Sequence, residues 1–349
     1  MSSYELLAGL PLIVEGYELE GHEIALSSEF VRKTTVVKLR GAGEEGAGED
    51  VTYAAEDQEA LQRSGANLPL AGRFTLASFA GHIRTLNLFP VATERAEFRL
   101  YRNWAFDSAA LDLALRQSHT TLHAALGRDP EPVSFVASLR LGEPPSIEPV
   151  KRRLQIAPAL RFKLDPTPSW DASLISELVA LGAVESVDLK GQYEGTIVDN
   201  PADPALYQRI VDAFPDAWIE DPKLTADTEP ILLPHRERIT WDAPIHSIAD
   251  IEALPFPPRT LNIKPSRLGG LRSLLDVYDY CAANGIGCYG GGQSELSVGR
   301  GQIQYLASLF HAGAPNDVAP AGFNMPEPPA GLPGSPLAPA PSATGFRWN

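Results

Sequence analysis

Five short apolar runs, each closing on a charged residue, recur through the middle of the chain. LRFK ends on Lys163, ESVD on Asp188, AWIE on Glu220, ITWD on Asp242 and LNIK on Lys264. The successive gaps are 25, 32, 22 and 22 residues, and the intervening stretches, such as ASLISELVALG and LGGLRSLLDVYDYCAANG, carry helical apolar spacing. A run of strand length followed by an amphipathic crossover is a βα unit, and several in series predict a parallel sheet. The charges stand where each run stops, at the C-terminal ends of the strands. In a closed barrel those ends meet at one mouth, the face that carries chemistry. VSFVASLRLG at 133–142 predicts a first strand of the array. The following GEPPSIEPVKRRLQI is too proline-rich for a long helix and predicts an irregular crossover. GIGCYGGGQSELSVGRGQIQYLASLF predicts a strand, a glycine loop and a helix.

The flanks read differently. Residues 13–100 predict an α+β domain, because LIVEGYELEGHEIAL and TTVVKLRGAGEEGAGEDVTY alternate with period two. The second is broken by a glycine-rich turn at Gly41–Gly48. Glu44, Glu45, Glu49 and Asp50 are expected to be a solvated hairpin tip rather than a cation site. Residues 103–127 predict one amphipathic helix, with Ala110, Leu111, Ala114, Leu115 and Leu122 on one face and a glycine stop. His119 and His123 lie four apart on it, a metal-compatible spacing, but without a third ligand they are expected to be surface histidines. The segment from Pro315 is rich in proline and small residues and is expected to be extended or partly disordered. This gives an N-terminal domain over 1–102, a barrel with its lead-in helix over 103–311, and a tail over 312–349.

Composition narrows the class. A chain of 349 residues has room for a barrel and one smaller domain. A net charge of −15, from 44 acidic and 29 basic residues, argues against a nucleic-acid or anionic-membrane partner. No apolar run approaches the ~20 residues of a membrane span. MSSYELLAGLPLIV lacks the basic start of a signal peptide, so a cytoplasmic location is expected. Cys281 and Cys288 fit no zinc spacing and are expected to be reduced thiols. Gly290-Gly291-Gly292 does not continue into a dinucleotide-binding pattern.

The strand-end charges suggest a reaction. Asp188, Glu220 and Asp242 on three consecutive strands repel unless a cation lies between them. Oxygen ligands alone select Mg²⁺ or Mn²⁺ over zinc. Such an ion neutralises a substrate carboxylate as a Lewis acid. Lys163 and Lys264 flank the trio, and a partly desolvated lysine near other cations is expected to have a lowered pKa and to serve as a base. The set suits removal of a proton α to a carboxylate, giving an enediolate. One strand-end charge alone is ordinarily a salt-bridge partner; five together are hard to explain that way.

The order Lys, Asp, Glu, Asp, Lys at successive strand ends resembles the enolase superfamily, and within it the muconate lactonizing enzyme and o-succinylbenzoate synthase subgroup. FKLD at Lys163, WIEDP around Glu220 and NIKPSRLGGL after Lys264 agree with that resemblance. So do SAALDLAL before the barrel and GGGQSELSVGRGQ, which is similar to the family's last strand and loop. The resemblance covers most of the chain. It implies a modified (β/α)7β TIM barrel with an N-terminal α+β capping domain, Mg²⁺ on Asp188, Glu220 and Asp242, an acid/base pair of Lys163 and Lys264, and a homo-oligomer. It also implies that specificity groups come from capping-domain loops near residues 15–30.

Four positions depart from the family pattern. Arg161 stands where the subgroup usually has the first lysine of Lys-x-Lys and would supply its positive charge. Lys190 replaces the usual asparagine and either contacts substrate or points outward in a salt bridge. Ala243-Pro244 follows Asp242 in place of Glu-Ser. The Asp-x-Asp with which dipeptide epimerases bind an ammonium group is absent from GGGQSELS, which counts against dipeptides. Glu295 in that loop either contacts substrate or partners a lysine. Dehydration of the o-succinylbenzoate synthase kind, cycloisomerisation and racemisation all remain open. The alternative is a catalytically silent barrel that binds a metal or ligand or serves a structural role.

Overall fold

The computed structural model describes residues 2–25, 31–196 and 198–349. Of the loops expected near residues 15–30, residues 26–30 lie outside the described part. Strand β1 (Pro11–Val14) is followed by β2 (Gly16–Ala25), β3 (Val31–Gly41) and β4 (Glu44–Asp50), the last three forming an antiparallel meander. The β3–β4 turn is only Ala42-Gly43, both at positive φ (51° and 79°), the geometry of a tight hairpin. The remaining glycines of the expected turn belong to β4 and serve packing. A Cβ on Gly46 would lie 2.2 Å from the Leu113 nitrogen, and one on Gly48 2.1 Å from the Ala105 carbonyl. They let the helix Phe98–Gln117 press its backbone onto the sheet. β5 (Gly72–Thr75) pairs antiparallel with β1.

That central helix is buried on every side from Trp104 to Leu115, because the sheet covers one flank and the segment Pro265–Leu268 another. It stops at Gln117, ten residues before the expected glycine. His119 takes a left-handed conformation (φ 51°), and a separate short helix, Leu122–Leu126, follows behind a Thr121 cap. His119 and His123 therefore do not share a helix face. His123 Nδ1 instead meets the Tyr305 hydroxyl at 2.7 Å. Glu49 and Asp50 correct a second expectation, since both are fully buried rather than solvated.

The barrel strands follow in order: β6 (Val136–Leu139), β7 (Arg161–Leu164), β8 (Val184–Asp188), β9 (Trp218–Glu220), β10 (Ile239–Thr240), β11 (Thr260–Ile263) and β12 (Gly287–Gly290). β6 to β10 form one parallel sheet in sequence order, and β11 pairs parallel with β12. Backbone hydrogen bonds carry the ring round. Asn262 N–H donates to the Trp241 carbonyl (3.1 Å), Asp317 N–H to Gly290 (2.8 Å) and Val136 N–H to Asn316 (2.8 Å). Residues 316–318 thus act as the eighth strand, between β12 and β6. The barrel runs past the boundary expected at residue 312, and GGGQSELS follows the seventh strand rather than the last. The eighth carries Asn316-Asp317-Val318, again without Asp-x-Asp.

The crossover expected to be irregular contains a helix, Glu148–Ile156, with Pro149 in its first turn, where no N–H is needed. The C-terminal segment is extended as its composition predicts, yet docked. Leu337 exchanges backbone hydrogen bonds with Val133, and Phe346 is buried beside Trp104 and Tyr305. Among the described residues no helix is long and apolar enough to cross a membrane.

His311 sits under the barrel wall between the Tyr278 hydroxyl (3.0 Å) and Asn316 Oδ1 (2.6 Å). Burial lowers its pKa from 6.5 to about 4. The unfolded chain therefore binds this proton more tightly than the folded one. The associated stability is complete above about pH 6.5 and is lost as pH falls towards 4, by about 3 kcal/mol. Urea midpoints across pH 4–7 should fall less steeply in His311→Gln than in the parent chain; parallel curves would show that the ring is not the titrating group.

Candidate active site

The ring brings all five strand-end charges to one mouth, buried. Lys163 closes on β7, Asp188 ends β8, Glu220 ends β9, Asp242 follows β10 by two residues and Lys264 follows β11. The three carboxylates are wholly inaccessible, and Lys163 and Lys264 are nearly so. Lys163 Nζ lies 3.1 Å from Asp188 Oδ2, forms a close ion pair with Glu220 Oε1, and stands 3.6 Å from Asp317 of the eighth strand. Lys264 Nζ lies 2.8 Å from Asp242 Oδ2, which Arg267 also approaches at 3.5 Å. Each lysine thus has its own carboxylate partners.

Several residues that the apolar-run pattern did not single out complete the site. Tyr193, in the loop after β8, donates to Asp242 Oδ2 (2.8 Å) and accepts from Arg267 (3.1 Å). Tyr289 on β12 donates its hydroxyl to Glu220 Oε2, and Asn262 on β11 donates to Glu220 Oε1 (3.3 Å). Asp221 accepts the backbone N–H groups of Asp242 (2.8 Å) and Ala243 (2.9 Å), so it aims the segment that carries Asp242. The WIEDP motif held a signal for Asp221, and NIKPSRLGGL one for Arg267. Tyr193 and Tyr289 had none, because each reaches the site through loop or ring geometry.

The electrostatics favour an added cation. Burial pushes Glu220 up to about 8, against the pull of Lys163. Burial, reinforced by Asp242 and Asp188, pushes Asp221 to about 7. Burial also works upward on Asp188, but Lys190 and Lys163 outweigh it and hold that carboxyl well below the usual range. Burial works to lower Lys163, but Glu220 and Asp188 outweigh it and leave the ammonium well above its ordinary value. This reverses the expected depression, because the lysine faces carboxylates rather than other cations. Asp188, Glu220 and Asp221 each offer a carboxylate oxygen within 4.8 Å of the others. Asp242 is the expected third ligand in place of Asp221. Both Asp221 oxygens hold backbone, whereas Asp242 Oδ1 is buried without a hydrogen-bond partner among the described residues. A buried all-oxygen set with a free lone pair on Asp242 and a Glu220 carboxyl pushed upward fits a divalent metal.

The three outer candidates fare differently. Arg161 lies at the start of β7, half-exposed, and bonds Glu185 and the Gly182 carbonyl. It stands at the N-terminal end of β7, paired with Val136 of β6, away from the strand end where the mouth lies. Lys190 does reach the site, but as an inward partner of Asp188 rather than an outward salt bridge. Glu295 is buried, accepts from the Gln293 N–H (2.7 Å) and pairs with Arg300 (3.1 Å), an arginine rather than a lysine.

The N-terminal sheet grips this loop. Glu49 accepts the N–H groups of Leu296 (2.6 Å), Ser297 (3.0 Å) and Gly299 (2.9 Å), capping the helix Val298–Phe310 from another domain. Arg32 donates to the carbonyls of Gln293 (2.8 Å) and Ser294 (3.3 Å). Glu49→Ala should cost about 2 kcal/mol in urea unfolding, because it leaves one buried and two part-buried donors without an acceptor. A loss below about 1 kcal/mol would show that water replaces the carboxylate.

Comparison with known proteins agrees with this architecture. The N-terminal and C-terminal domain models of DUF8230, a domain of unknown function, match residues 5–125 and 129–325. An N-succinylamino acid racemase from Amycolatopsis sp is 28% identical over 310 residues, covering 84% of this chain and 81% of that protein. An o-succinylbenzoate synthase from Geobacillus stearothermophilus is 28% identical over 62% of this chain and 58% of its own length. Among solved structures, a member of the enolase superfamily from Listeria innocua has a TM-score of 0.63 at 20% identity, over 89% of this chain and 86% of that one. A dipeptide epimerase from Methylococcus capsulatus complexed with Mg ion has a TM-score of 0.63 at 19% identity, over 94% and 92%.

Proposed function

We infer that this chain, which belongs to the DUF8230 family and has the fold of enolase-superfamily proteins, is a divalent-metal-dependent enzyme that removes the proton α to a carboxylate. The observation that carries the reading is the placement of two buried lysines around one buried carboxylate cluster. They come from the second and sixth strands of an eight-stranded ring and therefore stand on opposite sides of its mouth.

Asp188, Glu220 and Asp242 would hold the metal, with Mg²⁺ favoured by the hard oxygen donors. A divalent cation there supplies Lewis-acid charge to a substrate carboxylate. Tyr289 and Asn262 orient Glu220, and Asp221 orients Asp242. Lys264, or Lys163 once a cation balances the Glu220 and Asp188 carboxylates that keep it protonated, takes the α-proton and leaves an enediolate, and the opposite lysine can return a proton to the other face. Two opposed lysines suit racemisation. They also serve dehydration or cycloisomerisation, in which one acts mainly as a charge.

The racemase relative makes N-acyl amino acids the first substrates to try. Asp-x-Asp is missing from the eighth strand, which still counts against dipeptides. A homo-oligomeric enzyme completes the reading and rests on the family resemblance. Five charged side chains buried at one mouth speak against a silent barrel, since burying them without a task costs stability.

Solvent deuterium exchange tests the proposal without knowledge of the product. The chain is incubated with Mg²⁺ in D₂O and a panel of acyl amino acids, cyclohexadiene carboxylates, muconolactones and sugar acids. Incorporation at the α-carbon, read by mass spectrometry, is the expected result. No exchange across the panel by a chain that binds Mg²⁺ would overturn the enzymatic reading.

A further inference from the structure

We propose that Lys190 is an internal cation that competes with the divalent metal for Asp188 and moves to Asp165 when the metal binds. The proposal rests on the metal site inferred above and adds to it a residue that tunes its affinity.

Lys190 lies two residues past the end of β8 in a left-handed conformation (φ 54°). That conformation costs a residue with a long side chain about 1 kcal/mol, so something must hold it there. What holds it is Asp188 itself. The Lys190 N–H donates to Asp188 Oδ1 (3.1 Å) and its ammonium to Oδ2. Lys190 therefore engages both oxygens of an expected metal ligand, and an ion arriving at Asp188 meets a resident positive charge.

The ammonium has a second acceptor within reach. Asp165, two residues past Lys163 on the neighbouring strand, presents Oδ2 at 3.8 Å from Lys190 Nζ, just beyond hydrogen-bond length. Asp165 Oδ1 is buried without a partner among the described residues. The Asp165 carboxylate is thus incompletely satisfied, and a shift of about an ångström brings the ammonium within hydrogen-bond length of its Oδ2 and recovers there part of what is lost at Asp188. The Tyr193 ring lies 4.9 Å from the ammonium and presents a face that attracts a cation. Metal binding thus becomes an exchange of one cation for another, and apparent affinity is reduced by the cost of moving the first.

The test measures Mn²⁺ binding alone, by calorimetry and by loss of the free-ion resonance signal, on the full chain. The four forms are wild type, Lys190→Asn, Asp165→Asn and the double variant. Asparagine adopts the left-handed backbone readily and carries no charge. Lys190→Asn is expected to bind Mn²⁺ at least about tenfold more tightly, the scale of one charge-assisted hydrogen bond. Asp165→Asn should weaken binding several-fold in the parent chain and much less when Lys190 is already replaced. Unchanged or weaker binding in Lys190→Asn, or an equal effect of Asp165→Asn in both backgrounds, overturns the exchange while leaving the metal site standing. Absence of Mn²⁺ binding in every folded form overturns the metal site and the exchange together.

Discussion

Lys264→Ala will reduce α-proton exchange by about 10³-fold while leaving divalent-ion binding in place. The magnitude is that of a positioned acid/base group. The fold should tolerate the change. Asp242, the partner of Lys264, keeps Arg267 at 3.5 Å and the Tyr193 hydroxyl at 2.8 Å, so no buried charge is stranded. Lys163→Ala is harsher, because that ammonium lies between Asp188 and Glu220 at the centre of the cluster. If the two lysines serve opposite faces, each variant will lose exchange chiefly with one enantiomer of a chiral substrate. Exchange measured on separate D and L substrates, beside a Mn²⁺ titration, reads both quantities. Exchange at the parent rate in both variants would remove the lysines from the chemistry.

The largest effect on stability is expected away from the mouth. Arg102 and Asp50 are completely buried and joined at 2.7 Å between the central helix and the N-terminal sheet. The guanidinium also donates to the carbonyls of Leu88 (3.0 Å) and Asp57 (3.1 Å) and lies 3.8 Å from the centre of the Phe89 ring. Arg102→Met removes the cation and leaves the Asp50 carboxylate in a medium that cannot solvate it. Breaking a buried pair from one side costs about 3–5 kcal/mol. Arg102→Met with Asp50→Asn should recover part of that loss, because the stranded charge is then gone. Urea unfolding of the parent chain, the single variant and the double variant gives the comparison. A single-variant loss below about 1 kcal/mol would mean that water reaches Asp50.

The strand ends were legible because chemistry and period coincide there. In a parallel sheet buried on both faces the apolar run is short and continuous, so its charged terminus stands out, as at Asp188 and Glu220. The eighth strand was not legible. At 316–318 it is only a few residues long, lies in a proline-rich stretch, and is defined by hydrogen bonds to Gly290 and Val136. Glu49 and Asp50 misled for a related reason. Their neighbours are glycines, which read as a turn, yet Gly46 and Gly48 are there so that a helix backbone can approach.

Residue order alone carried the succession of βα units, the five charges at their ends and the class of chemistry those charges suit. These depend on residue type and spacing, which are local. Which charges face one another follows from the folded ring. Arg161, at the start of β7, paired outward with Glu185, a left-handed turn folded Lys190 back onto Asp188, and a loop tyrosine and a strand tyrosine reached Asp242 and Glu220. Contacts between residues distant in the chain are set by backbone geometry and close packing, and no single stretch of sequence encodes either.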